Sequence, residues 1–345
     1  MRCLTLADVL RQRGAQCSFV CRPHAGHLLD LIKQRGHTAI ALAPADEAFT
    51  APADPAHAQW LGCSWASDVE QTKVALANMK PDWLVVDHYA LDRRWEQALR
   101  SAAKHVMVID DLADRPHDCE VLLDQNLGRE DKDYCGLLSP QTKTFIGPAF
   151  SLLRPEFAQW REYSLQRRAQ PKLQQLLITM GGVDQDNATG KVLQALRDSD
   201  LPEDLHITVV MGPTAPWLVQ VQEQSASMPR PTQVLAGVNN MAQLMAESDL
   251  CIGAAGGSAW ERCALGLPTV VLILAANQHS GAIALQSYGA ACVAADSQQL
   301  MSQMSALLNP DKKTEALREM SQSAAQLTCG EGATQVVERL MEHHV

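Results

Sequence analysis

Residues 248–278 limit the range of possible folds more strictly than any other segment of the chain. They contain a short apolar run at 250–253, a turn of small residues at 254–258, a helical segment at 260–265 and a second apolar run at 269–274. A strand, a tight glycine turn, a helix and a buried strand, in this order, are typical of a parallel sheet covered by helices on both faces. We therefore expect an α/β protein.

The glycine turn of this segment predicts an anion-binding site. Gly256, Gly257 and Ser258 open the predicted helix, where backbone N–H groups lack partners and the positive end of the helix dipole lies. A phosphate or pyrophosphate fits this position, and Glu261, one turn further on, is placed to accept both hydroxyls of a ribose. Short glycine turns are also common in α/β proteins that bind nothing there, so the turn alone leaves a purely structural role equally open.

Length and charge exclude several classes of protein. The 345 residues, 46% of them hydrophobic, predict two globular domains with packed cores. The net charge of −10 is not interrupted by a Lys/Arg cluster, which argues against a nucleic-acid surface. No apolar run approaches the ~20 residues of a membrane span, and residues 1–14 have no signal-peptide core. We expect neither a nucleic-acid nor a membrane partner.

The cysteines do not predict a metal site or disulfides. All ten are scattered and none forms a C-x-x-C pair, so we interpret them as reduced core residues of a cytoplasmic protein. No metal-ligand spacing is present either, and we expect no metal and no cofactor. The motifs of serine hydrolases, P-loop proteins, zinc proteases and dinucleotide-binding folds are also missing, which argues against an NAD enzyme.

Strands and helices alternate along the whole chain. Strands are predicted at 17–21, 38–42, 83–87, 106–109, 121–124, 176–180, 207–211, 232–235, 250–253, 269–274 and 291–293. Residues 144–156 contain two prolines and interrupt the rhythm, so we place the domain boundary there, with one Rossmann-like domain over 1–150 and another over 151–345. Because such sheets bind ligands outside the carboxyl ends of their strands, the expected site is a cleft between the two domains.

The first predicted element is unusual for a Rossmann-like domain. Such a domain normally begins with a strand, yet Leu4, Leu6, Val9 and Leu10 already have helical spacing. We expect either an atypical first helix or a first strand and loop that precede this sequence.

Two further turns of the second domain could line the same site. Gly181 and Gly182 follow its first strand and lead to Asn187, a good helix N-cap, so they form either a second wall for a phosphate or sugar or only a capped turn. Val238 and Met241 lie at a corner after another strand, where the backbone could pair with a uracil edge and Met241 could cover its face. A plain helix cap is the favoured interpretation of this corner.

Polar residues follow strands in both domains. Asn277 and Gln278 end the last long apolar run and carry amides suited to sugar hydroxyls and acetamido groups. His88 and Tyr89 follow a strand of the first domain and could act as an acid or a base, although an exposed histidine there is more often inert.

Two other polar groups of the first domain are weaker candidates. His24 and His27 lie in a segment that leads into a helix. Asp110, Asp111 and Asp114 superficially resemble a metal site, but we expect them to cap their loop and pair with Arg115.

Three segments together resemble one enzyme family. ITMGGVDQDNATGKVL, GVNNMAQLMAESDLCIGAAGGSAWERCALGLPTVVLILAANQ and VVDHYALD are similar to the UDP-2,4-diacetamido-2,4,6-trideoxy-β-L-altropyranose hydrolases of pseudaminic acid biosynthesis, the PseG family, relatives of MurG-type glycosyltransferases. The resemblance implies the GT-B fold and a metal-independent, inverting hydrolysis in which water attacks the anomeric carbon and the C–O bond to UDP breaks. It also implies a UDP-sugar as partner and a link to flagellin glycosylation.

The resemblance assigns roles to individual residues. UDP would lie on the second domain, with its uracil at Val238 and Met241, its pyrophosphate at the glycine turn and its ribose at Glu261. The implied catalytic residues are Tyr89 and Asn277, and the predicted substrate-binding residues are Gly182, Val238, Met241, Gly256, Gly257, Ser258, Glu261, Asn277 and Gln278.

One departure from the family concerns the general base. The family opens with a strand and a G-x-G-H loop whose histidine is the proposed base, and this sequence begins just after that residue. We expect that a segment upstream is missing and that the chain binds UDP but hydrolyses poorly, since losing a positioned base typically costs ~10²–10⁴-fold. His88 or His24 is the next candidate. Two alternatives are a GT-B glycosyltransferase with a UDP-sugar donor and a catalytically impaired UDP-sugar binder.

Overall fold

The computed structural model describes residues 1–46, 48–275, 278–308 and 313–342. The chain forms two compact units. The first consists of Met1–Leu152 together with the segment from Ala333 onward, and the second is Leu153–Gly332. Among the described residues, no helix combines the length and the apolar character needed to cross a bilayer.

The first unit contains two parallel sheets. Strands β1 and β2 pair with each other, and β3 to β6 form a second sheet in the order β3-β4-β5-β6. The elements are α1 (Arg2–Gln12), β1 (Ser18–Cys21), α2 (Leu29–Gln34), β2 (Thr38–Ala41), α3 (Trp65–Leu76), β3 (Trp83–Val86), α4 (Arg93–Ala98), β4 (His105–Ile109), β5 (Val121–Asp124) and β6 (Lys143–Ile146).

Apolar runs explain the interior of this unit. β5 is buried along its whole length and β4 is buried from Val106 onward, as expected for strands covered on both faces. β3 is just as apolar but is an edge strand of its sheet, and its first three residues are only half-buried. The expected helix at the start of the chain is confirmed, since α1 begins at Arg2.

The second unit is built around one six-stranded parallel sheet in the order β12-β11-β10-β7-β8-β9. Its elements are α5 (Pro155–Arg168), β7 (Gln175–Thr179), α6 (Ala188–Arg197), β8 (His206–Met211), α7 (Leu218–Ser225), β9 (Thr232–Ala236), α8 (Met241–Glu247), β10 (Leu250–Ala254), α9 (Ser258–Ala264), β11 (Thr269–Leu272), α10 (His279–Ser287), β12 (Cys292–Ala294), α11 (Ser297–Leu308) and α12 (Lys313–Leu327). The predicted order of elements from residue 176 to 293 is confirmed.

Two elements extend into residues 144–156, where the domain boundary was predicted. β6 pairs with β5 at the edge of the four-stranded sheet, and only two of its four residues (KTFI) are apolar. α5 begins at Pro155, which suits the first helical position because its missing N–H would have no partner there. Pro148 begins a short 3₁₀ helix (Pro148–Phe150) and Pro155 begins the 14-residue helix α5, and the compact units divide between them, at Leu152 and Leu153.

The last helix, α13 (Gly332–Glu342), belongs to the first unit from Ala333 onward. Ala333, Val336, Val337 and Leu340 are buried in the same apolar cluster as α1 and the β4–β5 strands. This differs from the expected division, in which 151–345 formed one domain. The helix is amphipathic, and a sequence pattern shows which face is buried but not which core that face meets.

Candidate functional site

The order in which strands are added to the six-stranded sheet changes direction between β7 and β10. From β7 the chain adds β8 and β9 on one side, and from β10 it adds β11 and β12 on the other. Gly253 in β10 stands opposite Thr179 in β7, so the turns that follow these two strands leave the sheet side by side. Ligands of open α/β sheets bind outside the carboxyl ends of the strands at such a reversal.

The turn between β10 and α9 presents an open stretch of backbone. Among the described residues, no acceptor is found for the N–H groups of Gly256, Gly257 and Ser258. A Cβ added at Gly256 or Gly257 would meet no atom within 4 Å, and neither glycine has a positive φ. These glycines are therefore not required by the backbone conformation, and what they provide is close access to the N–H groups.

A buried arginine holds this turn in place through hydrogen bonds. Arg262 is 1% exposed, and it donates from Nη2 to the carbonyl oxygen of Ala254 at 2.7 Å and from Nη1 to Oγ of Ser258 at 3.1 Å. A Cβ on Gly253 would lie 2.9 Å from Arg262 Nη1 and 3.0 Å from the Thr179 carbonyl oxygen, so this glycine is needed for packing. Arg262 was not among the predicted site residues, although its position four residues after Ser258 was a usable signal.

Glu261 is the acidic residue nearest the turn. Its side chain is 22% exposed, and Nη2 of Arg154 lies 3.9 Å from its Oε1. Burial raises the pKa of the Glu261 carboxyl above its usual value, and the charges of Arg154 and Arg262 partly oppose this shift. The predicted position of Glu261, on the first turn of α9, is confirmed, and Arg154 is a neighbour that no local pattern indicated.

The turn after β7 is held by caps of helix α6. Oδ1 of Asp184 accepts from the Ala188 N–H at 2.8 Å, and Oδ1 of Asn187 accepts from the Gly190 N–H at 3.0 Å. The predicted cap at Asn187 is thus confirmed, and Asp184 is a second one. A Cβ added at Gly182 would meet nothing within 4 Å, so this backbone is also open to close approach. The structure is compatible with both interpretations of Gly182.

The corner after β9 differs from the favoured interpretation. Asn240 is at the N-cap position of α8, but its side chain makes no capping hydrogen bond to the helix. Its Nδ2 instead donates to Gln243 Oε1 at 3.4 Å. Val238 and Met241 are both partly exposed at this corner, on the carboxyl side of β9.

Gln278 does not project freely. Its Oε1 accepts from the N–H of Leu274 at 3.0 Å, which ties the side chain to its own loop at the beginning of α10. The oxygen of this predicted sugar-binding amide therefore already has a backbone partner. Asn277, the other predicted amide, lies outside the described residues.

In the first unit, Tyr89 belongs to a polar network at the carboxyl ends of β3 and β4. Its hydroxyl donates to Oδ2 of Asp111 at 2.6 Å. Nη1 of Arg2 donates to the same oxygen at 2.7 Å, and Nη2 of Arg2 donates to Asp87 Oδ1 at 2.7 Å. Burial, followed by the negative charge of Asp111, raises the pKa of Tyr89, so the phenol is protonated at neutral pH.

His88 is held as a neutral donor. Its Nδ1 accepts from the N–H of Ala90 at 3.1 Å, so the proton of the neutral ring lies on Nε2. Burial lowers the pKa of His88, which keeps the ring uncharged at neutral pH. With Nδ1 occupied and Nε2 protonated, this ring has no free lone pair with which to accept a proton.

The acidic cluster after β4 is structural. Arg115 Nη1 lies 2.8 Å from Asp110 Oδ1 and 2.9 Å from Asp114 Oδ1, which confirms the predicted pairing of these two carboxylates. Asp111 is the exception, because it pairs with Arg2 instead. Within the described part of the chain, no group of three or more His, Cys, Asp or Glu side chains is arranged to hold a metal ion. All ten cysteines are free, but only four are buried as expected, since five are partly buried and Cys135 is exposed.

Comparisons with known proteins agree with this architecture. Residues 175–339 match the model of the glycosyltransferase family 28 C-terminal domain. MurG of Acinetobacter baumannii superimposes with a TM-score of 0.67 at 17% identity, covering 99% of this chain and 95% of that protein. The chain therefore has the GT-B fold, an α/β fold with parallel sheets in Rossmann-like units.

Two curated relatives match part of the chain. An uncharacterized protein of Methanocaldococcus jannaschii is 28% identical over 215 residues, which are 61% of this chain and 43% of that protein. The UDP-2,4-diacetamido-2,4,6-trideoxy-β-L-altropyranose hydrolase of Campylobacter jejuni is 26% identical over 211 residues, which are 61% of this chain and 73% of that enzyme. The chain thus spans less than half the length of the archaeal relative.

Proposed function

We propose that this chain is an enzyme that binds a UDP-sugar through its second unit and acts at the anomeric carbon. The open glycine turn between β10 and α9 carries the proposal. It stands where the strand order of the sheet changes direction, inside the segment that matches a glycosyltransferase C-terminal domain, and three successive N–H groups have no acceptor there within the described part of the chain. A diphosphate suits this place because backbone N–H groups can donate to its oxygens without a lysine or arginine.

The remaining parts of UDP are assigned from the same segment. Glu261 accepts the two ribose hydroxyls, in keeping with a carboxylate that keeps part of its surface exposed beside the turn. Val238 and Met241 contact the uracil at the corner after β9, and Gly182 lies against the phosphates or the sugar. Arg262 acts indirectly, because its hydrogen bonds hold Ser258 and the carbonyl of Ala254 in place.

Hydrolysis is the reaction we favour. The oxygen of a water molecule bonds to the anomeric carbon and that water gives up a proton to the surrounding solvent, while the bond from the carbon to the β-phosphate oxygen of UDP breaks and the configuration inverts. UDP leaves with the bonding electrons, and the N–H groups of the turn stabilise the added charge. The partial match to the Campylobacter hydrolase supports this choice, and with it a UDP-linked 2,4-diacetamido-2,4,6-trideoxy sugar of pseudaminic acid biosynthesis as substrate.

The sugar contacts are Tyr89, Asn277 and Gln278. Tyr89 contacts the sugar through its hydroxyl oxygen as an acceptor and does not act as a base, because its proton is donated to Asp111 and its raised pKa keeps the phenol protonated. The Nε2 group of Gln278 is assigned to the sugar, since among the described residues the side chain is held only through its Oε1. His88 serves as a donor for the reason given above.

A glycosyltransferase is the second candidate function. The family model that matches residues 175–339 describes a glycosyltransferase domain, in which an acceptor hydroxyl would take the place of water. The nucleotide half of the site would be the same in both cases.

Incubation of the pure protein with the UDP-sugar alone separates the candidates. A hydrolase releases UDP and free sugar in equal amounts without any acceptor, whereas a transferase leaves the donor intact until an acceptor is added. A protein that binds UDP and turns over neither mixture is a UDP-sugar binder, and one that ignores UDP at millimolar concentration contradicts the proposal. The variant Tyr89→Phe, measured alongside, reports whether the observed turnover depends on the first unit.

A further inference from the structure

We propose that His57, Trp60 and Tyr89 form an aromatic platform that binds the less polar face of the sugar ring of the substrate. This proposal rests on the proposed function and deepens it by naming a sugar-binding surface in the first unit. Two of its three residues, His57 and Trp60, were not predicted from the sequence.

The three rings contact one another in pairs. The centroid of the His57 ring lies 4.5 Å from that of Trp60 and 5.6 Å from that of Tyr89, and Trp60 lies 5.7 Å from Tyr89. All three pairs are tilted by 38° to 50°. Aromatic pairs at these separations are stabilised beyond the burial of their surface. The loop that carries His57 and Trp60 is therefore joined to the carboxyl end of β3, where Tyr89 lies.

Local structure forces Trp60 outward. Ala58–Leu61 is a 3₁₀ helix, in which residues three apart share a face, and its first and last residues are 6% and 5% exposed. The Trp60 side chain therefore faces solvent, with 47% of the residue's surface exposed. The backbone N–H of Trp60 donates to the backbone carbonyl of His57 at 2.9 Å. A tryptophan is usually highly buried, so one held outward on an anchored turn and supported by two rings is a candidate binding surface.

The charged groups next to Tyr89 favour a carbohydrate as the ligand of the rings. The hydroxyl of Tyr89 donates to the Asp111 carboxylate, and Arg2 pairs with both Asp111 and Asp87, so charged groups lie next to the Tyr89 hydroxyl at one end of the platform. A pyranose has C–H groups on one face, whose partial positive charge is attracted to the negative face of an aromatic ring. Its hydroxyls and acetamido groups lie at the edge, where carboxylates and a guanidinium can bond them. A wholly apolar partner would instead desolvate these charges at a cost.

Separate titrations of UDP and UDP-sugar test the platform. In Trp60→Ala we expect the UDP-sugar to bind about tenfold more weakly, which corresponds to ~1.4 kcal/mol, while the affinity for UDP stays within about twofold. Trp60→Phe, which keeps a ring face, recovers most of the affinity, and Trp60→Leu, which is apolar without a ring, does not. Trp65→Ala is the matched control, because Trp65 is 40% exposed at the start of α3 and has no ring contact among the described residues.

The outcomes distinguish this proposal from the proposed function. Unchanged binding of UDP-sugar by Trp60→Ala, or equal recovery by Trp60→Leu and Trp60→Phe, overturns the platform even when the wild type binds UDP. A wild type that does not bind UDP overturns the proposed function and the platform with it. Circular dichroism of each variant establishes that the fold is retained, and Trp60→Phe keeps the test valid should Trp60→Ala not fold.

Discussion

The carboxyl group of Glu261 has an environment that makes its ionisation sensitive to pH. Burial favours the neutral acid and raises its pKa, whereas Arg154 at 3.9 Å and the adjacent Arg262 favour the carboxylate. Because the shift is upward, Glu261 takes up a proton at a higher pH than an exposed glutamate does. Its ability to accept two ribose hydroxyls would be lost in the same range.

This environment predicts how UDP binding depends on pH. At neutral pH, Glu261→Gln should weaken UDP binding by about tenfold to a hundredfold, since a hydrogen bond to a charged group contributes roughly 1.5–3 kcal/mol. As the pH falls toward the usual glutamate value of 4.5, the wild type should lose affinity and approach the variant. The phosphate of UDP also titrates near pH 6, so the difference between the two calorimetric profiles is the quantity to measure. Parallel profiles would show that Glu261 does not contact the ligand.

Helix α13 is the element whose position was least expected. Ala333, Val336, Val337 and Leu340 lie at spacings of three and four residues, which makes one apolar stripe. That stripe completes the cluster formed by α1 and the β4–β5 strands. The polypeptide therefore returns to the first unit after finishing the second, and the folding of the first unit depends on its last residues.

Leu340→Ala tests this dependence. Leu340 is 1% exposed, and removing its branched end should lower the free energy of unfolding by about 2–5 kcal/mol. Glu338→Ala on the same helix is the control, because the Glu338 side chain is 55% exposed and its ion pair with Arg13 contributes at most about 1 kcal/mol. Urea unfolding followed by circular dichroism measures both. Equal stabilities of the two variants would mean that the stripe is not packed against the first unit.

Much of this architecture can be predicted from local patterns in the sequence. Unbroken apolar runs such as 121–124 predict covered strands, and the glycine turn at 254–258 predicts the end of β10 and the beginning of α9. Both depend on residues that are neighbours in sequence. By contrast, β6 (KTFI) was missed because it begins with two polar residues and has no unbroken apolar run like that of β5.

The polar partners of the site could not be found in the same way. Arg2 pairs with Asp87 and Asp111, which lie 85 and 109 residues away in sequence. The ring contact between Trp60 and Tyr89 likewise depends on how a long loop returns to the end of β3. No local spacing encodes such contacts, so the sequence indicated Tyr89 but not the groups that orient it.

The two units divide the proposed chemistry between them. We propose that residues of the second unit contact the nucleotide and that Tyr89 and the aromatic platform of the first unit contact the sugar. Saturation with UDP alone should therefore slow amide hydrogen exchange at 254–262 and around Val238 and Met241, since bound ligand stabilises the state it occupies by about 2.7 kcal/mol at a hundred times its Kd. The β4 and β5 strands serve as internal reference. Protection confined to the first unit would contradict the assignment of UDP.

Calorimetric titration of UDP into the wild type and Gly257→Val tests most directly whether the diphosphate binds at the glycine turn. The valine should leave the melting temperature nearly unchanged, because Gly257 has helical φ and ψ and an added Cβ meets nothing within 4 Å. It should weaken UDP binding by at least about tenfold, or ~1.4 kcal/mol, because its side chain fills the space assigned to the diphosphate. Equal affinity of the folded variant and the wild type for UDP would show that the diphosphate does not bind at this turn.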